Sequence, residues 1–224
     1  MAPRILLLTG MTPSPGIFAR LLPALGDASI VPWIEPLPAE TLEGYASRLA
    51  DTVNTVDSAG PVIVCGVSFG GIVARELAWR LNAQACVLIS SVRSPAELPP
   101  WVRALRPFAG RPTESVLNLV GHLARAVPKR VRMDASARLT KLAGRDGTWH
   151  RWASSAVLRW KPSSQLDQVP VLQIHGSHDL TFPLRYVVPE VIIEGGGHTI
   201  ALTHADEINQ AIHHLTTSVI GSLQ

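Results

Sequence analysis

Three side chains of the types used in nucleophilic catalysis each follow a short apolar run in this sequence. Ser68 is the centre of the segment GVSFG, Asp179 lies in the segment GSHDL, and His198 follows a run of three glycines. A serine hydroxyl attacks a carbonyl group effectively only when a histidine takes its proton and an acid orients the imidazole. The three residue types therefore indicate acyl-transfer chemistry, provided that folding brings them together. The alternative for Ser68 is an ordinary serine that caps the N-terminus of a helix.

Six short apolar runs, separated by helical patterns, predict the elements that would position these residues. A continuous apolar run without alternation is typical of a parallel strand covered on both faces. Alternating strands and helices are typical of a doubly wound sheet. We therefore predict an α/β fold with a mainly parallel, six-stranded sheet, with strands at 4–10, 28–36, 61–66, 85–90, 169–176 and 187–195. The predicted helices lie at about 16–25, 41–58, 69–82 and 205–220. Pro32 interrupts the second run, so we expect that strand near an edge.

The alternation of strands and helices stops between residues 91 and 164. Prolines separate short helical patterns there, and we find no strand pattern. We interpret residues 91–164 as a helical cap inserted into a single α/β core, which residues 1–90 and 165–224 form. Residues 91–161 hold 14 of the 20 lysine and arginine residues but only four of the 17 acidic residues. This segment therefore has a net charge of +10, and the rest of the chain has a net charge of −7.

Each of the three candidate residues follows a different predicted strand. The segment GVSFGG falls between a strand and a helix, where a tight turn would expose Ser68 at the carboxyl edge of the sheet. With this elbow, the acid loop GSHD and the base loop GGGH, the chain resembles the α/β-hydrolase superfamily over nearly its whole length. The resemblance implies a compact α/β-hydrolase fold that lacks the usual leading hairpin.

The resemblance also implies a role for individual residues. Ser68 would be the nucleophile, His198 the general base and Asp179 the acid that orients the imidazole. The backbone N–H groups of Met11 and Phe69 would form the oxyanion hole. The implied activity is that of a carboxylesterase-type hydrolase, which cleaves carboxylic esters or thioesters through an acyl-enzyme.

The resemblance implies no metal and no organic cofactor. The histidines and cysteines do not have the spacing of a metal site, and no phosphate-binding glycine motif follows a strand. The dipeptide Thr9-Gly10 stands where such enzymes often have His-Gly. We expect this departure to have little effect on stabilisation of the oxyanion, because the donor is a backbone group. A non-catalytic binding protein is the remaining alternative, although such members of the fold typically lose a triad residue.

The substrate is the least constrained part of the sequence interpretation. Four tryptophans of the predicted cap could line an acyl pocket, or could only hold short helices on the core: Trp101, Trp149, Trp152 and Trp160. We expect a small-molecule ester as the partner. The basic cap suggests as an alternative an anionic ester, or an acyl group carried by an acidic protein, with Lys129, Arg130 and Arg132 as the densest basic run. Basic side chains on exposed helices also serve solubility alone, and no nucleic-acid-binding module is recognisable.

Composition sets the remaining expectations. A chain of 224 residues with 46% apolar and 17% charged residues suits one globular domain. No apolar run approaches the roughly 20 residues that span a bilayer, and the first run is too short for a secretory signal. We therefore expect a cytoplasmic protein. Cys65 and Cys86 lie in apolar runs, which favours buried free thiols over a disulfide or redox pair.

Overall fold

A computed structural model describes residues 2–54, 60–109 and 147–222 of the chain. In these ranges six strands form one sheet in the order β2-β1-β3-β4-β5-β6, and every neighbouring pair is parallel. The strands are β1 (Arg4–Leu8), β2 (Ala28–Ile30), β3 (Val62–Val67), β4 (Ala85–Ile89), β5 (Val171–Gly176) and β6 (Val191–Ile193). Each predicted apolar run overlaps one of these strands, with β3 ending one residue beyond its predicted run, and β2 lies at an edge, as Pro32 indicated. The prediction of a doubly wound parallel sheet is therefore confirmed.

The helices of the described residues agree with most of the predicted helical patterns. They are α1 (Leu42–Asn54), α2 (Phe69–Arg80), α3 (Pro100–Arg103), α4 (Gly147–Arg159), α5 (Ile200–Thr203) and α6 (Ala205–Ser222). The predicted helix at 16–25 is wrong, because this segment forms two 3-10 turns at Pro15–Phe18 and Leu22–Ala24. Pro15 is the first residue of the first turn, and Pro23 is the second residue of the second turn. A proline provides no N–H for the hydrogen bonds of a continuous helix.

Two hydrophobic layers cover the two faces of the sheet. On one face, side chains of α1, α2 and α4 pack against strand residues such as Leu6, Val64 and Leu88. On the other face, the N-terminal turns, α5 and α6 pack against alternate strand residues such as Leu7 and Ile63. All five residues of β4 are buried. The burial of both faces explains why the strands read as continuous apolar runs.

The two cysteines lie in opposite layers of this core. Cys65 packs in the layer of α5 and α6, and Cys86 packs in the layer of α1 and α2. Both are free and buried, as the sequence predicted. Burial raises the pKa of both thiols, that of Cys86 to about 12, so they remain protonated and unreactive at neutral pH.

The described part of the predicted cap includes α3 near its start and α4 near its end. Helix α4 packs on the core, and the ring centroid of Trp152 lies 4.4 Å from that of Tyr45 in α1. The remaining predicted cap helices and the basic run Lys129, Arg130 and Arg132 lie outside the described residues, so the boundaries 91–164 stay a prediction. No helix among the described residues is long and apolar enough to cross a membrane.

The direction in which the chain crosses the sheet reverses between β1 and β3. From β1 the chain proceeds to β2 on one side and later to β3 on the other side. Open α/β sheets bind their ligands outside the carboxyl ends of the strands at such a switch point. The segment Thr9-Gly10-Met11 follows β1, and Ser68 follows β3, so two of the segments predicted to do chemistry meet there.

Candidate active site

Ser68 occupies a sharp turn between β3 and α2. Its backbone angles, φ 55° and ψ −121°, lie outside the regions that residues other than glycine normally adopt. A strained backbone of this kind costs about 1–3 kcal/mol and persists only where the surrounding structure enforces it. The strand-turn-helix elbow predicted from the segment GVSFG is therefore present, and its strain is concentrated at the serine.

The glycines on either side of Ser68 make this turn sterically possible. A Cβ atom at Gly66 would lie 2.2 Å from the carbonyl oxygen of Gly70, and one at Gly70 would lie 2.2 Å from the carbonyl oxygen of Thr9. Both distances are far below contact between real atoms, so any side chain here would force the backbone to move. The absence of side chains lets α2 begin directly above the ends of β1 and β3.

Hydrogen bonds fix the main chain of the elbow. The Ser68 N–H donates to the Ile89 carbonyl at the end of β4, over 3.0 Å. The Ser68 carbonyl accepts from the Ser91 hydroxyl at 2.6 Å and from the Gly71 N–H at 3.0 Å. Both polar groups of the Ser68 backbone are therefore occupied, and the side chain keeps its hydroxyl for other partners.

The structure brings the three residues of the predicted triad into one hydrogen-bonded chain. His198 Nε2 lies 2.9 Å from Ser68 Oγ, and His198 Nδ1 lies 2.8 Å from Asp179 Oδ2. An ionised carboxylate only accepts hydrogen bonds, so Nδ1 carries the proton and the Nε2 lone pair faces the serine hydroxyl. The side chain of His198 is 19% exposed, whereas that of Asp179 is fully buried. In this arrangement the imidazole is oriented to take a proton from Ser68.

Asp179 is held in its ionised form by its hydrogen bonds. Its second oxygen accepts from the backbone N–H groups of Thr181 at 2.7 Å and Phe182 at 3.0 Å. Burial alone would raise the pKa of Asp179, but the hydrogen bond from His198, the positive charge that His198 carries when it is protonated and the Phe182 amide together outweigh burial. The pKa of Asp179 therefore lies below its usual value.

A second histidine lies behind the acid, and the sequence interpretation gave it no role. His175, near the end of β5, is completely buried, with Nε2 2.7 Å from the Phe182 carbonyl oxygen and 3.3 Å from Asp179 Oδ2. Two acceptors face Nε2, so this nitrogen carries the proton. Burial lowers the pKa of His175 more than the Phe182 carbonyl and the Asp179 charge raise it, which keeps the ring neutral at neutral pH. His178, by contrast, is exposed in the acid loop.

The two predicted oxyanion donors belong to segments that adjoin Ser68. Phe69 is the first residue of α2, where the backbone N–H groups of a helix lack partners within the helix. Gly10 lies against the elbow, since a Cβ there would be 3.8 Å from Ser68 Cβ. Met11 follows directly, and its N–H takes no part in the turn and loop hydrogen bonds of the described residues. The two amides are thus available to an oxygen bound beside Ser68.

The four predicted substrate-lining tryptophans occupy different environments. The ring centroids of Trp149 and Phe69 lie 5.9 Å apart. The indole N–H of Trp149 donates to the Met11 carbonyl at 2.7 Å. The indole of Trp152 donates to the Glu40 carbonyl. Trp160 is 1% exposed and donates to the Glu76 carboxylate, whereas Trp101 is 58% exposed.

A fifth tryptophan joins this region, although sequence analysis placed it in a strand. Trp33 follows β2, lies 5.2 Å from Trp149 and 5.7 Å from Phe69 between ring centroids, and donates to the Thr9 hydroxyl at 2.7 Å. Its position directly after Pro32, which interrupts the apolar run, is the sequence signal that could have placed it outside the strand. Across the residues that the structure describes, no group of three or more histidine, cysteine or acidic side chains is arranged to hold a metal ion.

Comparisons with known proteins agree with this architecture. Residues 5–211 match the sequence profile of a family described as the Alpha/beta hydrolase family. A search of curated proteins found none that matches the sequence significantly.

Solved structures that resemble the fold over nearly the whole chain include three proteins of low sequence identity. A thermophilic esterase from Thermogutta terrifontis is 19% identical with a TM-score of 0.62, covering 98% of this chain and 91% of its own. ClbQ from the colibactin NRPS/PKS pathway is 13% identical with a TM-score of 0.65, covering 98% of each chain. The enol-lactonase from Burkholderia xenovorans LB400 is 18% identical with a TM-score of 0.62, covering 97% of this chain and 92% of its own. These similarities concern the fold, and the profile match covers most of the 224 residues, so this chain belongs to the alpha/beta hydrolase family.

Proposed function

We propose that the protein is a serine hydrolase that cleaves carboxylic esters through a covalent acyl-enzyme. The observation that carries the proposal is the hydrogen-bonded chain from Asp179 through His198 to Ser68, with the serine on a strained elbow. A helix-capping serine would need none of these features. The Ser68 side chain also makes no capping hydrogen bond to its helix, which argues against that alternative.

Acylation begins when Ser68 Oγ attacks the carbonyl carbon of the ester and His198 Nε2 takes the hydroxyl proton. The carbonyl electron pair moves onto oxygen and forms a tetrahedral oxyanion. When the oxyanion collapses, the bond to the alkoxy group breaks and His198 returns its proton to the departing alcohol. Asp179 stabilises the imidazolium while it exists and keeps the ring in the correct orientation. The acyl group is then attached to Ser68.

Deacylation repeats these steps with water as the nucleophile. His198 takes one proton from water as the water oxygen attacks the acyl carbon. It returns that proton to Ser68 Oγ as the bond between Oγ and the acyl carbon breaks. The products are a carboxylic acid and an alcohol, and the serine is restored. Every proton transfer in this sequence uses the single imidazole, whose two nitrogens already face the serine and the acid.

The backbone amides of Phe69 and Met11 are the proposed oxyanion donors. Phe69 opens a helix of 12 residues, so the positive end of the helix dipole also points at the developing charge. A single donor of this kind is worth on the order of 10²–10³ in kcat. Two amides from different strand ends would bind a tetrahedral intermediate better than a planar ester, which is what lowers the barrier.

The class of substrate follows from the surroundings of these donors. Trp149 and Trp33 place apolar ring surface beside Phe69, which favours an uncharged, apolar group near the reacting carbon. A thioester, or an acyl group on an acidic carrier protein, stays a prediction from the basic segment, most of which is outside the described residues. The intact hydrogen-bonded triad supports an enzyme over a non-catalytic binding protein.

Covalent labelling with a fluorophosphonate tests the proposal directly. The wild-type protein should be labelled stoichiometrically at Ser68, and it should hydrolyse p-nitrophenyl esters, with a panel of graded chain length reporting the size of the acyl pocket. Ser68→Ala should abolish both activities, whereas Ser47→Ala, at an exposed serine of α1, should retain both. Stoichiometric labelling of the folded Ser68→Ala variant would contradict the assignment of the nucleophile.

A further inference from the structure

Two indole groups hold the segment that follows β1 from opposite sides. Trp33 donates its N–H to the Thr9 hydroxyl, and Trp149 donates its N–H to the Met11 carbonyl, each over 2.7 Å. The two rings lie 5.2 Å apart. Trp33 belongs to the segment after β2, and Trp149 is 138 residues from its acceptor in the sequence. Side chains from two distant parts of the chain therefore converge on three consecutive residues.

The side chains of the held segment also pack on the protein, since Thr9 is buried and Met11 lies on the core with its sulfur 3.9 Å from the Ser154 hydroxyl, but its backbone has few other partners. The ladder of β1 ends at Leu8, and among the described residues no turn or loop hydrogen bond between backbone groups involves Gly10 or Met11. Glycine allows the backbone to rotate more freely than any other residue. The peptide between Gly10 and Met11, which carries the Met11 N–H, could therefore turn away from Ser68 unless both of its flanks are fixed. The two indole hydrogen bonds fall on those flanks.

We propose that Trp149 and Trp33 are positioning residues, which keep the Met11 N–H directed at the oxyanion by holding the chain on both sides of the Gly10–Met11 peptide. The inference rests on the proposed function, and it assigns the two tryptophans a task in addition to the apolar ring surface that they present beside Phe69. An N–H that is already oriented stabilises the transition state without a cost of reorganisation, whereas an N–H on a rotating peptide must first be ordered.

The same two rings also contact the side chain of Phe69, the residue whose backbone N–H is the second proposed oxyanion donor. The centroid of the Phe69 ring lies 5.7 Å from that of Trp33 and 5.9 Å from that of Trp149, the latter with the planes nearly perpendicular. Phe69 is almost completely buried by this packing. Since Trp149 lies on α4, at the end of the predicted cap, the inserted segment contributes directly to the geometry of the oxyanion hole.

The substitution Trp149→Phe removes the indole N–H and keeps an aromatic ring. We expect kcat for p-nitrophenyl acetate to fall by about 10- to 100-fold, with KM changed less than about threefold, because only the oriented transition state loses an interaction. Tyr45→Phe is the matched control, since its hydroxyl bonds the backbone of Ile34 within the same aromatic cluster. The Tyr45→Phe variant should keep kcat within about threefold of the wild type, even if its melting temperature falls as much as that of Trp149→Phe.

The dependence on chain length separates positioning from pocket lining. If Trp149 only lined the acyl pocket, Trp149→Phe would change KM, and the change would grow with the length of the acyl chain. The positioning role predicts instead the same loss of kcat for every ester of the panel. It also predicts that a trifluoromethyl ketone, which forms a charged tetrahedral adduct with the serine, loses affinity by the factor lost in kcat/KM.

Thr9→Val tests the other flank, because this nearly isosteric change removes the hydroxyl that accepts the hydrogen bond from Trp33. This variant replaces Trp149→Phe in the test if Trp149→Phe does not fold. It should lower kcat by about 10-fold with little change in KM. The inference is overturned if a folded Trp149→Phe or Thr9→Val variant matches Tyr45→Phe in kcat, or changes KM alone. A wild-type protein that neither labels nor hydrolyses esters would overturn the proposed function as well. An active wild type with an inactive Ser68→Ala variant makes these results a test of the inference alone.

Discussion

The triad and the oxyanion side of the candidate site are held in different ways. Ser68 and Asp179 closely follow the ends of β3 and β5, and His198 lies in the loop after β6, so the parallel sheet itself brings them to one edge. The Met11 segment also follows a strand, but two tryptophan side chains from remote segments determine its local geometry. One half of the site is thus positioned by backbone pairing, and the other half by side-chain hydrogen bonds.

This difference has a consequence for how substitutions act. In the proposed triad, Ser68 forms the covalent bond, His198 transfers the protons and Asp179 orients the imidazole, so removal of any one side chain eliminates its role even where the backbone stays in place. On the oxyanion side the proposed donors are backbone N–H groups, which only a substitution by proline would delete, and a change of a supporting side chain only loosens them. We therefore expect losses of many orders of magnitude in the triad, and graded losses around Met11.

The largest effect after removal of the nucleophile should come from the base. His198→Ala should lower kcat by about 10⁵- to 10⁶-fold, because a serine hydroxyl without a base is a poor nucleophile and the members of a triad act as a unit. Single-turnover kinetics with p-nitrophenyl acetate measures the loss. His178→Ala is the control at the exposed histidine of the acid loop, and it should remain fully active. The opposite result, an active His198→Ala and an inactive His178→Ala, would transfer the role of base to His178.

A smaller but still large effect should follow from loss of the acid. Asp179→Asn should lower kcat on the order of 10³- to 10⁴-fold, because an amide can donate to Nδ1 and so favour the tautomer that presents a proton to Ser68. The carbonyl oxygen of the introduced amide can still accept from the Thr181 and Phe182 N–H groups, so the loop should keep its shape. Circular dichroism and the kinetics of p-nitrophenyl acetate hydrolysis together check this. A variant with a native melting temperature and less than a 10-fold loss in kcat would remove Asp179 from the mechanism.

Sequence alone predicted the half of the site that the sheet positions. The six apolar runs indicated six parallel strands, and residues that follow parallel strands must meet at one edge, so the proximity of Ser68, Asp179 and His198 required no knowledge of side-chain packing. The glycines of the elbow carried a further signal, because only residues without a side chain allow α2 to approach β1 this closely.

The other half depends on contacts that periodicity does not encode. The residues Trp33 and His175 both lie within apolar runs, where they read as ordinary strand positions, and their roles depend on which neighbour their nitrogen atoms reach. The helix predicted at 16–25 does not form for a local reason, since Pro15 just before this segment and Pro23 within it provide no N–H for a continuous hydrogen-bond ladder. The acidic carrier protein and the cytoplasmic location stay predictions from composition.

His175 provides the mildest test of the view that the sheet positions the triad. It lies near the end of β5 and contacts Asp179 and the Phe182 carbonyl, yet it takes no part in the proposed chemistry. The variant His175→Gln keeps a side-chain N–H close to the position of Nε2 and removes the titration. If backbone pairing fixes the acid loop, kcat should fall by no more than about 10-fold. A loss as large as that of Asp179→Asn would show that the sheet does not position the acid without the buried imidazole.

The pH dependence of stability provides the readout specific to this histidine. Burial lowers the pKa of His175 in the folded protein, so below its ordinary value of 6.5 the unfolded chain binds the proton more readily. The contribution of the neutral His175 ring to the free energy of unfolding is therefore fully present above about pH 6.5. It is lost as the pH falls below that value, by no more than about 1.4 kcal/mol per pH unit for one proton. Asp179 also has a lowered pKa, but its contribution is lost only as the pH falls below its usual value of 3.8. Urea unfolding of the wild type and of His175→Gln between pH 7.5 and 5 should therefore show that the free energy of unfolding of the wild type falls relative to that of the variant as the pH falls. The charges of Asp179, Glu97 and His198 act on the same ring, and comparison with the variant, which retains all three, isolates the contribution of His175. A difference that stays constant across this range would mean that the buried ring does not lose its proton on folding.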